Sequence, residues 1–117
     1  MTFRYENLEV GKLVLEIIDE IYEITEAFPS HEKFGLTSQI RRAITSVYLN
    51  LAEGSVRKSG PDFARFITIS LSSLIETHAG FTIALKRKYL SEESREDLNK
   101  QIERIWKMLC GLRKSQS

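Results

Sequence analysis

The chain has 117 residues with 17 Lys/Arg against 16 Asp/Glu, a net charge of +1, and 42% apolar residues. That length suits one domain with a modest core, and no apolar run approaches the roughly 20 residues that span a bilayer. A single cysteine, Cys110, excludes an internal disulfide framework and fits a reducing compartment. The first residues, MTFRYENLEVGK, lack the basic-then-apolar pattern of a secretory leader, so a cytoplasmic location without a membrane partner is expected.

Residues 8–28 carry the first helical pattern. Val10, Leu13, Val14, Ile17, Ile21, Ile24 and Phe28 recur at steps of three and four, which places them on one face at about 100° per residue. Leu15, Ile18 and Tyr22 fall off that face. Pro29 ends the helix, because the residue before a proline avoids the helical region. Residues 29–35 read as a connector in which Phe34 is expected to pack under the bundle.

The second helix is expected over 37–53, with Thr37 as N-cap and Gly54 as a left-handed terminator. Leu36, Ile40, Ile44, Val47 and Leu51 form its core stripe. Gln39, Arg42, Ser46, Asn50 and Glu53 form a second stripe at the same spacing, with Leu49 among them. Amides and arginine suit a buried hydrogen-bonding contact better than flexible surface lysines do. The stripe therefore reads either as solvated surface or as a contact with a subunit or a ligand. Arg41 projects elsewhere, as a flanking residue whose stem covers the core and whose head reaches a carboxylate.

A basic loop, Ser55 to Gly60, leads to a third helix expected over 61–90, capped by Ser59 with Pro61 in its first turn. Phe63, Phe66, Ile67, Leu71, Leu74, Phe81 and Leu85 define its core stripe. A small-residue ridge, Ser70, Ser73, Thr77, Gly80 and Ala84, lets a neighbouring helix approach closely. Ile69, Ile75 and Ile83 point away from the core, more apolar surface than a lone bundle should show. Lys86, Arg87 and Lys88 close this helix, where cations favour the dipole.

The fourth helix is expected over 92–113, capped by Ser91, with Leu98, Ile102, Ile105, Leu109 and Leu112 inward and Trp106 flanking. The tail from Arg113 is expected to fray. Four helices with short connectors imply an all-α, antiparallel up-and-down four-helix bundle occupying residues 1–117 as one domain.

Charge is unevenly spread. Residues 1–32 hold eight acidic and two basic residues, so the rest of the chain is strongly basic. Either oppositely charged helices lie side by side or the basic remainder faces a polyanion. Catalytic chemistry finds no support in the motifs. Bundle di-iron sites need Glu-x-x-His pairs, whereas Glu76 and His78 are two apart and face different ways. His78 reads as a hydrogen-bonded core residue, and Cys110 has no second cysteine at metal-ligand spacing. No cofactor and no enzymatic activity are expected.

Several segments together resemble the four-helix bundle protein family, also called the 23S rRNA intervening-sequence protein or S23 family. They are Phe28-Pro29, Glu32, Phe34 to Ala43, Asn50, Ala52 to Gly54, Phe63, Phe66, Ser73-Leu74 and Glu76. The family's small residue or proline is replaced here by Tyr48 and Leu49, and Ser70 to Leu74 also depart from its pattern. The resemblance implies a bacterial homo-oligomeric ring, with a pentamer expected. It also implies an adaptor that contacts RNA, DNA or a nucleic-acid enzyme, since a related accessory subunit of diversity-generating retroelements binds a reverse transcriptase and nucleic acid. The alternative is a purely structural homo-oligomer. Candidate nucleic-acid contacts are Arg41, Arg42, Arg57, Lys58 and Arg65. Candidate interface or family-motif positions are Gln39, Arg42, Ser46, Leu49, Asn50, Glu53, Ile69 and Ile83.

Overall fold

The computed structural model describes residues 1–116, and its chain is built from four α-helices preceded by one short turn. A 3-10 turn at Arg4–Asn7 leads into α1 (Glu9–Glu26), followed by a 3-10 turn at Ser30–Glu32, α2 (Leu36–Ser55), α3 (Gly60–Lys86) and α4 (Glu92–Ser115). Each helix packs on its neighbours in sequence, and α1 also meets α4. Short connections reverse the chain at every step, which gives an antiparallel up-and-down four-helix bundle of 44 × 23 × 22 Å.

The core follows the apolar stripes. Val14, Ile17 and Ile21 of α1, Ile44, Val47 and Leu51 of α2, Ile67, Leu74 and Phe81 of α3, and Leu98, Ile105 and Leu109 of α4 are all fully enclosed. The tightest seam joins α2 and α3, and the small-residue ridge makes it. Ser70 Oγ donates to the Val47 carbonyl at 2.8 Å, and Ser73 Oγ bonds Ser46 Oγ at 3.0 Å. A Cβ on Gly80 would lie 2.5 Å from Ile40 Cγ1. Ser59 and Ser91 cap α3 and α4, accepting from the backbone N–H of Asp62 and Ser94.

Local details depart from the sequence reading. Thr37 does not cap α2. The helix starts at Leu36 behind Gly35, and its first N–H groups are served from the preceding turn, where Glu32 Oε1 accepts from Leu36 N–H at 3.1 Å. Gly54 does not terminate α2 in a left-handed conformation. It lies inside the helix, where its missing side chain admits Phe66. The left-handed position falls instead on Lys88, φ 66°. There the N–H groups of Lys88 and Tyr89 close α3 by donating to the carbonyls of Leu85 and Ala84.

Phe34 does not pack under the bundle and is 90% exposed. That end is already closed by Phe28, edge-on to Phe81 and 5.5 Å from the Tyr89 ring. Nor does α4 fray at Arg113. It continues to Ser115, and Gln116 lies against Gly60 at the start of α3.

Glu32 ties this end together, because its Oε2 also accepts from Tyr89 Oη at 2.9 Å. Hydrogen bonds from Leu36 N–H and then Tyr89 favour the charged form and hold the carboxyl below its ordinary value of 4.5. A depressed folded pKa contributes stability above the unfolded value, and the contribution disappears as pH falls through the folded one. Glu32→Gln is therefore expected to destabilise at pH 6–7, with the gap to wild type narrowing below about pH 4.5. Urea titrations across a pH series check this, and a pH-independent gap would contradict it.

Candidate nucleic-acid and assembly surfaces

Arg41 and Arg42 are adjacent, yet the 100° helical step sends them to different places. Arg41 crosses to α1. Its Nε donates to Thr25 Oγ1 at 2.8 Å, and Nη2 donates to the Tyr22 carbonyl at 3.1 Å and to Glu26 Oε2 at 3.2 Å. The guanidinium also lies 4.5 Å from the Tyr22 ring centroid. Its side chain is 25% exposed, so Arg41 is a strut between α1 and α2, with Glu26 as its carboxylate. Arg42 is exposed and, among the described residues, has no hydrogen-bond or ion-pair partner.

The polar stripe of α2 splits in two. Ser46 turns into the α2–α3 seam, where it bonds Ser73, and Asn50 Nδ2 donates back along α2 to the Ser46 carbonyl and hydroxyl at 2.9 and 3.0 Å. Gln39, Arg42, Leu49 and Glu53 stay outside, with Leu49 59% exposed. Ile69 and Ile83 of α3 are also exposed. The Ser46–Ser73 bond sets their rotational position, because it brings that side of α3 against α2. The interface candidates therefore share one outer face, with Ser46 and Asn50 as its floor.

The basic residues around the α2–α3 loop gather at one end of the bundle. Arg57 and Arg65 both lie over the Phe66 ring, at 4.6 and 4.9 Å from its centroid. Arg57 pairs with Glu53 at 2.7 Å and Arg65 with Asp62 at 3.6 Å. Lys58 is exposed beside them. Arg4 joins this end, 4.9 Å over Phe63. Sequence reasoning missed Arg4, because it sits before the first helical pattern and the packing of Tyr5 on Tyr48 (5.8 Å, edge-on) brings it there. Arg42 and Arg57 are 15 residues apart on and just beyond one helix, roughly 22 Å along its axis. The five expected nucleic-acid contacts thus do not form one patch: Arg41 is engaged with α1, Arg42 stands outside, and Arg57, Lys58 and Arg65 lie at the other end of α2.

His78 is half-buried rather than in the core. It shares a groove between α3 and α4 with Ile75, Asn99, Ile102, Glu103 and Trp106. Sequence reading notes Ile75 and Trp106 singly but does not join them, since they belong to different helices. Among the described residues no three His, Cys, Asp or Glu side chains are grouped to hold a metal. Among them, too, no helix is long and apolar enough to cross a membrane.

No functionally curated protein matches the chain. A crystal structure at 1.70 Å of a protein of unknown function from the S23 ribosomal protein family of Bacteroides thetaiotaomicron superposes with a TM-score of 0.82 at 25% identity. The match covers 90% of this chain and 98% of that one. The family model described as 23S rRNA-intervening sequence protein matches residues 6–111. With the model spanning nearly the whole bundle, the chain belongs to the 23S rRNA-intervening sequence protein family.

Proposed function

We propose that the protein is a non-enzymatic, self-assembling helical scaffold of the bacterial cytoplasm that holds RNA or DNA by its phosphates. The carrying observation is the end of the bundle where Arg4 lies over Phe63 and Arg57 and Arg65 lie over Phe66, with exposed Lys58 next to Arg57 in the chain. The ion pairs already present there do not block such a role. Both are exposed short-range pairs, and pairs of that kind contribute only about 0.2–1 kcal/mol each. A phosphate offers each guanidinium a bidentate partner of higher charge, with counterion release added. The family's description refers to an intervening sequence of 23S rRNA, which supports the same reading. The assembly is a closed ring, and five copies are the number expected from the family resemblance.

Fluorescence anisotropy with a structured RNA hairpin and a DNA duplex across a salt series tests this. Binding is expected to weaken linearly in log–log form. The triple variant R57A/K58A/R65A is expected to lower the slope by about 0.9 for each phosphate that these three side chains neutralise. Absence of salt-dependent binding at low ionic strength would overturn the nucleic-acid reading. A second reading, a structural homo-oligomer alone, draws support from the carboxylates that already partner Arg57 and Arg65. It predicts assembly without binding in the same experiment.

A further inference from the structure

The bundle carries two apolar surfaces that do not overlap. The first is the outer face of α2 and α3, where Leu49, Ile69 and Ile83 are exposed and Leu49 shares an open groove with Arg42. The second is the α3–α4 groove, floored by Ile102, with Ile75 exposed on one side and Trp106, 36% exposed, on the other. Around α3, Ile75 stands about 120° from Ile69 and about 80° from Ile83. Both surfaces are therefore available to partners at the same time.

Charge separates these surfaces from the rest of the exterior. Between Phe66 and Lys86 the only Asp, Glu, Lys or Arg in α3 is Glu76. The exposed side of α4, by contrast, alternates Glu96, Asp97, Lys100, Glu103, Arg104 and Lys107. Depletion of charge is the compositional mark of a buried interface centre. The charges that remain are complementary. Arg42 is an exposed cation without a partner among the described residues. Glu103, at the rim of the groove, is held among the described residues by the exposed i,i+4 pair with Lys107 at 3.0 Å, a weak competitor.

We propose that one copy's α2–α3 face docks head to tail on the next copy's α3–α4 groove, with Arg42 meeting the Glu103 rim. A single twofold contact pairs one surface with itself and leaves the other bare. A head-to-tail contact covers both in every copy, and it closes into a ring when the rotation per step permits. This inference rests on the self-assembly reading above and specifies which surfaces carry it.

Two interface-blocking variants test it by light scattering on a sizing column. L49R blocks the first surface and W106R the second. Each side chain is exposed in the isolated bundle, so helicity by circular dichroism is expected to stay at the wild-type level. I69R and I75R stand in if either variant loses helicity. Each variant alone is expected to run at the 13.5 kDa monomer mass. Mixed one to one, they are expected to form a dimer of twice that mass and nothing larger, because each retains the surface the other lacks.

R42E and E103R are expected each to weaken assembly and to restore it when combined in one chain. If W106R and I75R assemble like wild type, the groove is not an interface and the proposal fails. If both variants are monomeric and their mixture stays so, the surfaces do not pair with each other and the proposal fails. A monomeric wild type overturns the assembly reading itself, independently of which surfaces were named.

Discussion

Phe81→Ala is expected to remove about 3–5 kcal/mol of stability, the range for emptying a large aromatic site in a packed core. Phe81 is fully buried in α3, close to the end where the α1–α2 and α3–α4 connections meet. Its ring stands edge-on to Phe28, with centroids 6.4 Å apart, and Phe28 in turn contacts Tyr89. Losing the ring therefore removes buried apolar area, an aromatic pair and the support beneath Phe28. Helix movement does little to close the cavity, because Gly80 already sits in van der Waals contact with Ile40. A domain of this size is stable by about 5–15 kcal/mol, so the variant forfeits a fifth or more of the total. Urea unfolding at one fixed protomer concentration measures it. The midpoint should fall with the slope unchanged, since the area exposed on unfolding is nearly the same. A loss below about 1.5 kcal/mol would mean that the site refills, contrary to this account.

The parts of the fold that are legible in the sequence depend on short-range periodicity. The inward residues of all four helices recur at three and four, and the helical step alone places them on one side. Ser59 and Ser91 cap as expected because a serine hydroxyl reaches only its own first turn. The α3 ridge predicts a close crossing, and Ser70, Ser73 and Gly80 make it with α2.

The departures depend on contacts made outside the helices' own periodic pattern. Thr37 has the chemistry of a cap for α2, but Glu32 reaches Leu36 from the preceding turn. Phe34 has the chemistry of a core residue, but Phe28 and Tyr89 already fill that end. The site shows the same division. Spacing shows that Arg41 and Arg42 diverge, but not on which side of α2 the first helix lies. That placement makes Arg41 a strut to Thr25 and Glu26 and leaves Arg42 outside. The gathering of Arg4 with Arg57 and Arg65 likewise depends on the N-terminal turn folding back over Phe63, which no periodic pattern announces.

Gly54→Ala and Gly111→Ala are expected to shift stability in opposite directions, although the chemical change is identical. In a helix interior the exchange gains roughly 1 kcal/mol from backbone entropy and propensity. At Gly111 of α4 nothing lies within 4 Å of the new methyl group, so most of that gain should appear. At Gly54 the methyl would fall 2.5 Å from Phe66 Cβ and 3.0 Å from Phe63 Cδ1. The first of these atoms is bonded directly to the α3 backbone, so rotating a side chain cannot relieve the contact. Helices α2 and α3 would have to separate, stretching the Ser70–Val47 and Ser73–Ser46 hydrogen bonds along the same seam. Overpacking of this kind costs about 1–3 kcal/mol, and with the backbone pinned the upper half of that range applies. A net loss of roughly 1–2 kcal/mol is expected at Gly54 against a gain of up to about 1 at Gly111. Parallel urea titrations of the two variants decide it. A Gly54→Ala protein as stable as Gly111→Ala would show that the α2–α3 seam has slack, and that glycine is not what sets the distance between the two helices.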